Sequence, residues 1–538
     1  MRGLMMDDYQ LTLPMIVERA QRLHGGREIV WRDPGGEVHR TTYGEVIDGA
    51  RRLGAALQQL GVGPGDRVAT LLWNQPEHLA VYFASAGTGA VVHTLNPRLH
   101  PDELAYIMEH AEDRVVVVDE TLVRVLESFP RAPSLEHVIV VARDEPLPDG
   151  AQDYDELVGA AEPMAWLMPD ERDAAAMCYT SGTTGRPKGV LYSHRALVLH
   201  SLCVALPDAL GVSADDVVLP VVPMFHANAW GLPYACAMSG AALVLPGPRL
   251  DAESVLDLLA AERVTMTAGV PTVWMGVQAA LDAEPERWDL SALGRLIVGG
   301  SAVPESMLAG FDRHGLTIVH AWGMTETSPL GSVCHLPAAD AQRPEEEQIA
   351  YRARQGVPVA LVEIRARGDD GEEIPWDDST MGELEVRGPW VAAAYHGGEG
   401  ADKFTDDGWF TTGDVVKIDA RGCLKICDRA KDLIKSGGEW ISSVDLENAL
   451  MGHDAVAEAA VIAIPDEQWG ERPLAVVVLR EGEDVEPEAL REHLAAHFAR
   501  WQVPERIEFI DAIPRTATGK FRKTALREQF VAPAGGAA

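Results

Sequence analysis

Ten consecutive residues, Thr180-Ser181-Gly182-Thr183-Thr184-Gly185-Arg186-Pro187-Lys188-Gly189, hold three glycines, four hydroxyl side chains and a lysine. Glycine lets a backbone turn and brings N–H groups close to a ligand. Hydroxyls and an ammonium add donors for phosphate oxygens. Apolar runs flank the stretch, Ala174 to Tyr179 before it and Val190 to Tyr192 after it, so it reads as strand, tight loop, strand. A plain Gly/Ser/Thr hairpin turn rarely concentrates so many donors, and phosphate binding is the better reading. The loop is not a Walker A, which needs Gly-Lys-Ser/Thr opening a helix. Here Pro187 precedes Lys188 and disfavours helical geometry at Arg186.

The loop resembles the phosphate loop of the acyl-adenylate-forming superfamily: acyl-CoA synthetases, peptide-synthetase adenylation domains and luciferases. Five further segments match that family in order, spanning about residues 40 to 525 together with the loop. The likeness is greatest to the medium- and long-chain fatty acyl-CoA synthetases, including bacterial homodimeric ones. It implies that a carboxylate is joined to ATP with release of pyrophosphate, and that the thiol of CoA then displaces AMP.

The resemblance assigns roles segment by segment. Ser181, Gly182, Thr183, Thr184, Gly185 and Lys188 become phosphate contacts, and Thr180 a catalytic contact and, with Glu326, a Mg²⁺ ligand. In Pro223-Met224-Phe225-His226-Ala227-Asn228-Ala229-Trp230, His226 stands beside the carboxylate and Trp230 gates an acyl tunnel. Read alone, both would be ordinary buried residues. Val298-Gly299-Gly300-Ser301-Ala302 places a Gly-Gly turn at a strand end, where open α/β sheets bind ligands. The family sets adenine against Gly300, Ser301 and Ala302, and Val298 and Gly299 wall the acyl pocket. In His320-Ala321-Trp322-Gly323-Met324-Thr325-Glu326, Trp322 is an aromatic face for adenine. Thr325 offers a hydroxyl to the α-phosphate, and Glu326 is a hard oxygen ligand suited to Mg²⁺. The family usually has tyrosine at Trp322, so the phenolic hydrogen bond is lost.

Asp414, ending Trp409-Phe410-Thr411-Thr412-Gly413-Asp414, is the ribose carboxylate; Arg429 is a second ribose and phosphate contact, and Lys431 matches the hinge of a mobile lid. Lys435, Gly437, Gly438, Glu439 and Trp440 match the passage for CoA, with Lys435 also assigned to the nucleotide. Lys520 in Pro514-Arg515-Thr516-Ala517-Thr518-Gly519-Lys520 matches the lysine that stabilises charge during adenylation.

These residues need rigid supports, and the hydrophobic pattern supplies them. Strand-like runs such as 68–72 and 115–118 alternate with amphipathic segments such as 101–112, which predicts an α/β sheet. A second α/β unit is expected over about 200–340, with strands at 217–222, 242–245 and 295–298. Short strands and turns over 355–425 suggest a small barrel or distorted sheet. The expected division is an adenylation domain at 1–427, a hinge at 428–433 and a lid at 434–538, with lid helices near 444–452 and 487–500 and a disordered tail from Pro533.

At 538 residues the chain is too long for one ordinary core. A net charge of −36 argues against nucleic acid or an anionic membrane as partner, so ATP and CoA must be met by local positive charge. The six cysteines form no Cys-x-x-Cys pair and signal no zinc or redox site. Residues 1–10 contain Asp7 and Asp8 and no apolar signal core, and no apolar run approaches the roughly 18 residues of a membrane span, so a cytoplasmic protein without membrane insertion is expected. A homodimer is implied by the resemblance alone. Competing readings are a ligase for a short thioether or aryl acid and a stand-alone adenylating amide synthetase. A carrier-dependent adenylation domain fits less well, because the chain runs only a short way past Lys520. A non-catalytic sensor would be expected to lose Lys188, Glu326 or Lys520, and all three are present.

Overall fold

The alternation of apolar strands and amphipathic helices builds two large, mostly parallel sheets in the computed structural model, which describes residues 5–6, 8–180, 186–437, 439–516 and 520–531. One sheet has seven strands, in the order Gln152–Asp153, His137–Val141, Asp113–Asp119, Arg67–Leu71, Val91–Thr94, Ala174–Tyr179 and Gly189–Ser193. Its pairings are parallel except the last, where the strands flanking the phosphate loop run antiparallel with Tyr179 opposite Gly189. The second sheet has nine strands and a parallel centre. Arg295–Gly299 lies there between Met266–Gly269 and Ile318–Gly323, and antiparallel strands close both edges.

Helices packed between the sheets hold them together. The helix Pro76–Thr88 has no polar face, and every residue from His78 to Thr88 is buried. That is the pattern of a helix surrounded by protein. Its neighbour Tyr43–Gln59 starts at a capping box between Thr42 and Glu45, which satisfies amide groups that helix geometry leaves unpaired. One continuous apolar core joins these helices to strands of both sheets and to the smaller sheet that follows.

That smaller sheet, over the 355–425 region, is a four-stranded antiparallel sheet of Glu363–Arg367, Gly382–Arg387, Phe410–Ile418 and Leu424–Arg429. Register shifts near Glu383 and Val415 distort it. The C-terminal part carries its own five-stranded sheet, with apolar clusters on both faces. Its helix expected near 487–500 ends at Ala495; one further turn follows, in which the His497 and Phe498 amides both donate to the Leu494 carbonyl, and Gln502 then accepts the Ala499 amide hydrogen on its side chain. No helix of the described residues is long and apolar enough to cross a membrane. The tail from Pro533 lies outside the described residues.

Candidate active site

A cavity of about 1130 Å³ opens where the large sheets, the four-stranded sheet and the C-terminal part meet. Thr180, Arg186 and Lys188, from the two ends of the 180–189 stretch, line it, and those ends are bonded to each other. Thr180 N–H donates to the Lys188 carbonyl at 2.9 Å, and Lys188 N–H donates to Thr180 Oγ1 at 3.1 Å. Ser181, Gly182, Thr183, Thr184 and Gly185, between them, lie outside the described residues. Lys188 extends its ammonium 4.9 Å from the ring centre of Tyr395, a cation–π contact. The Tyr395 hydroxyl donates to Glu326 Oε1 at 2.6 Å. One tyrosine thereby sets the phosphate-loop lysine beside a buried carboxylate.

Glu326 sits in a short turn, Thr325–Thr327, directly after the strand Ile318–Gly323. Tyr192, on the strand leaving the phosphate loop, donates its hydroxyl to the Thr325 carbonyl at 2.7 Å. Glycine at 323 lets the facing chain approach closely: a Cβ there would lie 1.8 Å from the Pro329 carbonyl oxygen. His320, Ala321, Trp322, Gly323, Met324, Thr325 and Glu326 all line the cavity. His320 is kept neutral at ordinary pH, burial lowering its pKa to about 4.

Trp322 corrects one expectation. The hydrogen bond thought lost with the tyrosine is replaced, since the indole Nε1–H donates to Asp414 Oδ2 at 3.1 Å. Arg429 stands directly opposite Asp414 across the antiparallel pair, and its Nε–H donates to Asp414 Oδ1 at 2.8 Å. Asp414 is therefore oriented through both oxygens before any ligand arrives.

Lys520 reaches the same place from the C-terminal part. Its loop is closed by Thr516 N–H donating to the Lys520 carbonyl at 2.8 Å and Lys520 N–H donating to Thr516 Oγ1 at 3.2 Å. Burial pushes its ammonium pKa down to about 8; Arg429 pushes the same way, while Asp414 and Glu326 oppose. Lys431 also lines the cavity, its pKa lowered by burial.

The wall that carries His226 and Trp230 is set by how the chain leaves the strand Val217–Pro220. The strand expected to run to Val222 ends at Pro220; the Val222 N–H still donates to the Ala268 carbonyl of the neighbouring strand at 2.9 Å, while the carbonyls turn to a side chain. Asn74, from beyond the end of Arg67–Leu71 in the other sheet, donates to the Pro220 and Val222 carbonyls at 2.9 and 3.0 Å and accepts from Met224 N–H at 2.6 Å. This clamp between the sheets delivers His226 to the cavity wall. Burial, aided by the Lys520 charge, lowers the His226 pKa to about 4.

The next four residues are unusual. Ala227, Asn228, Ala229 and Trp230 have φ of 42°, 54°, 48° and 57°, a left-handed turn completed by Gly231 at 75°. Left-handed backbone costs about 1–2 kcal/mol for each residue with a Cβ, so this turn must be held from outside. It brings Trp230 Cη2 within 3.4 Å of the position a Cβ on Gly299 would occupy.

Gly299, Gly300, Ser301 and Ala302 line the cavity as expected. Val298 does not. Side chains alternate along a strand, and Val298 points with Leu296 into the opposite core while Ile297 faces the cavity. Lys435, Gly437, Glu439 and Trp440 also stay outside the cavity lining. They form a hairpin on which the Lys435 ammonium sits 4.0 Å from the centre of the Trp440 ring. Lys435 therefore lies outside the cavity in this arrangement, in which Lys520, and not the hairpin, faces it. Gly438 lies outside the described residues.

Sequence reasoning missed Asn74, Tyr395, Thr272, Met275 and Leu210, the last four being cavity-lining residues. Tyr395 adjoins the glycine-rich run Gly397-Gly398-Glu399-Gly400, the others have no such motif around them, and Asn74 and Tyr395 act through partners far away in sequence. Asp33, Glu37 and His39 cluster on a surface hairpin, but Asp33 is already used there to accept the Gly36 and Glu37 amide hydrogens.

Residues 17–396 match the AMP-binding enzyme family, and residues 445–520 match the AMP-binding enzyme C-terminal domain. The chain belongs to the AMP-binding enzyme family. It is 52% identical to a long-chain-fatty-acid–CoA ligase of Thermus thermophilus, over 99% of this chain and 98% of that one. It is 46% identical to a 3-methylmercaptopropionyl-CoA ligase of Ruegeria lacuscaerulensis, over 98% of this chain and 99% of that one. Among solved structures, an anthranilate CoA ligase in complex with anthranoyl-AMP superimposes with a TM-score of 0.87 at 26% identity, over 97% of this chain and 98% of that one.

Proposed function

We propose that the protein activates a medium- or long-chain fatty acid with ATP and passes the acyl group to CoA, with the residues above in the roles their positions suit. It is an AMP-forming acid–CoA ligase that uses ATP and proceeds through an acyl-AMP intermediate. The observation carrying the residue assignment is the convergence of Lys520, Arg429, Asp414 and Glu326 on one cavity that also holds His226 and Trp230.

In this reading the fatty carboxylate lies beside neutral His226 and attacks the α-phosphorus of ATP, releasing pyrophosphate. Asp414 and Arg429 hold the ribose, and Trp322 and the Gly300–Ala302 turn hold adenine. Thr325 contacts the α-phosphate. Lys188, with Thr180 and the loop it closes, holds the departing phosphates. Lys520 neutralises charge as it develops, which is where preorganised electrostatics contributes most. Glu326, oriented by Tyr395, and the Thr180 hydroxyl are hard oxygen donors that suit Mg²⁺ and would hold it. When bound, the ion neutralises phosphate charge. For the second half-reaction the part beyond the 428–433 hinge turns about Lys431, withdrawing Lys520 and presenting Lys435 to Trp440 to CoA. The reading includes a cytoplasmic homodimer, supported by the likeness to bacterial homodimeric synthetases; fractionation and light scattering test it.

Substrate choice is tested by AMP release across straight-chain fatty acids, 3-methylmercaptopropionate and benzoate. The highest kcat/KM is expected for a medium- or long-chain acid; a preference for either of the other two would overturn it. Trp230→Ala is expected to change the chain-length profile. If the indole only fills space, the same change lowers the melting temperature, by the equivalent of about 3–5 kcal/mol, and leaves relative rates across the acids unaltered.

The lowered pKa of Lys520 predicts a pH dependence. The protonated form is the active one, so kcat/KM for ATP in adenylation should fall as pH rises through about 8. Lys520→Arg keeps its charge at higher pH and should flatten that alkaline limb. An unchanged limb in the arginine variant assigns the titration to another group.

A further inference from the structure

Lys520 lines the cavity and the hairpin of Lys435 to Trp440 does not, so the C-terminal part is held in one orientation. Contacts that reach across Lys431 supply the hold, and they converge on the start of one helix. The helix Ser443–Met451 lies beyond Lys431 and begins against the strand Leu424–Arg429, which ends before it. Ser442, its N-cap, donates its hydroxyl to the Cys427 carbonyl. Ser443 donates its backbone N–H at 2.7 Å and its hydroxyl at 2.5 Å to one oxygen of Asp428, Oδ2. Asp445 pairs with Lys425 at 3.1 Å. The amides of a helix's first turn have no partner within the helix, and a carboxylate suits that positively polarised end. Asp428 therefore completes the lid helix from the far side of Lys431.

The same hydroxyl carries the contact on toward Lys520. Ser443 Oγ gives its own hydrogen to Asp428 and accepts one from Lys523 Nζ at 2.6 Å. Lys523 also pairs with Glu447 Oε1, one turn along the helix, at 2.6 Å. Lys523 opens the helix Lys523–Phe530, three residues after Lys520. A chain of bonds thus runs from Asp428 through Ser443 to the base of the segment that carries Lys520. Asp428, Ser443 and Glu447 are all buried. Polar groups in such a place cost most when a partner is lost.

We propose that Asp428 and Ser443 are positioning residues that latch the C-terminal part in the orientation presenting Lys520, and that the latch sets the balance between the two half-reactions. The inference rests on the reading of Lys520 as the adenylation lysine and of the turn about Lys431. Asp428 stands before Lys431 in the chain, and Ser443 and Lys523 stand after it. A turn about Lys431 carries Ser443 and Lys523 away from Asp428 together, so the latch exists in one orientation only. With the two orientations exchanging faster than either reaction, the ratio of half-reaction rates follows their equilibrium constant. A lost latch bond then moves that ratio by its full factor, whichever orientation prevails.

The test measures pyrophosphate exchange and CoA-dependent AMP release from supplied acyl-AMP in the full chain, alongside the melting temperature. Ser443→Ala removes the linking hydroxyl and keeps the helix amide. The ratio of adenylation to thioester formation should fall about tenfold, the scale of one lost hydrogen bond to a charged group. Asp428→Asn keeps the size of the side chain, removes its charge and should move the ratio the same way. Asp445→Asn breaks a partly exposed pair and should move it less, by about twofold. If Ser443→Ala does not fold, Asp428→Asn decides. A contact that only stabilises the fold would lower the melting temperature and slow both half-reactions in proportion, and an unchanged ratio overturns the latch. If Lys520→Ala lowers the ratio and the latch variants do not, the latch falls and the reading of the lid stands. If Lys520→Ala slows both half-reactions equally, that reading falls and the latch with it.

Discussion

Lys520→Ala is expected to slow acyl-adenylate formation by at least about 10²-fold, the scale for removing one transition-state charge stabiliser, while thioester formation from supplied acyl-AMP stays nearly unchanged. The asymmetry follows from geometry. In this arrangement Lys520 is close enough to Asp414, Glu326 and Arg429 to be influenced by all three charges. The hairpin assigned to CoA lies outside the cavity. A residue used in only one orientation of a lid should matter to only one half-reaction. Pyrophosphate exchange reads the first step, and CoA-dependent AMP release from synthetic acyl-AMP reads the second. Equal loss in both would return Lys520 to a structural role.

Glu326→Gln should be nearly as damaging, again by about 10²-fold, but with a different signature. The amide keeps the size of the side chain and an acceptor for the Tyr395 hydroxyl, 2.6 Å away in the native protein. It lacks the charge that a hard cation seeks. The apparent Mg²⁺ requirement should therefore rise along with the loss of rate. An unchanged Mg²⁺ titration would show that the carboxylate acts only through Tyr395 and Lys188.

The α/β architecture and most of the cavity wall were legible in the sequence because their signals are local. A glycine- and hydroxyl-rich stretch between two apolar strands reads as a turn with donors, and the Trp322 to Glu326 run takes in the end of a buried strand and the turn after it. What escaped depends on direction or distance. Val298 and Gly299 are neighbours in one motif, yet the alternation of a strand sends the valine to the far core. Asn74 has no motif around it, and its role appears only when a second sheet, 146 residues further on, offers the carbonyls it binds. The turn at Ala227 to Trp230 has a glycine only at its end, so composition gave no sign of left-handed backbone there. Trp322 shows the converse: departure from the family's tyrosine suggested a lost hydrogen bond, and the larger ring brings its own donor to Asp414.

The central claim is that one cavity and one turning lid carry out two successive reactions through a bound acyl-adenylate. A single-turnover quench tests it most directly, with ATP labelled in the adenylate moiety, a long-chain fatty acid and enzyme in excess, first without CoA and then with CoA added. Labelled acyl-AMP should form and persist without CoA, then convert to labelled AMP and acyl-CoA once CoA is supplied. Formation of labelled ADP in place of acyl-AMP, or an acyl-AMP pool that CoA does not draw down, would contradict it.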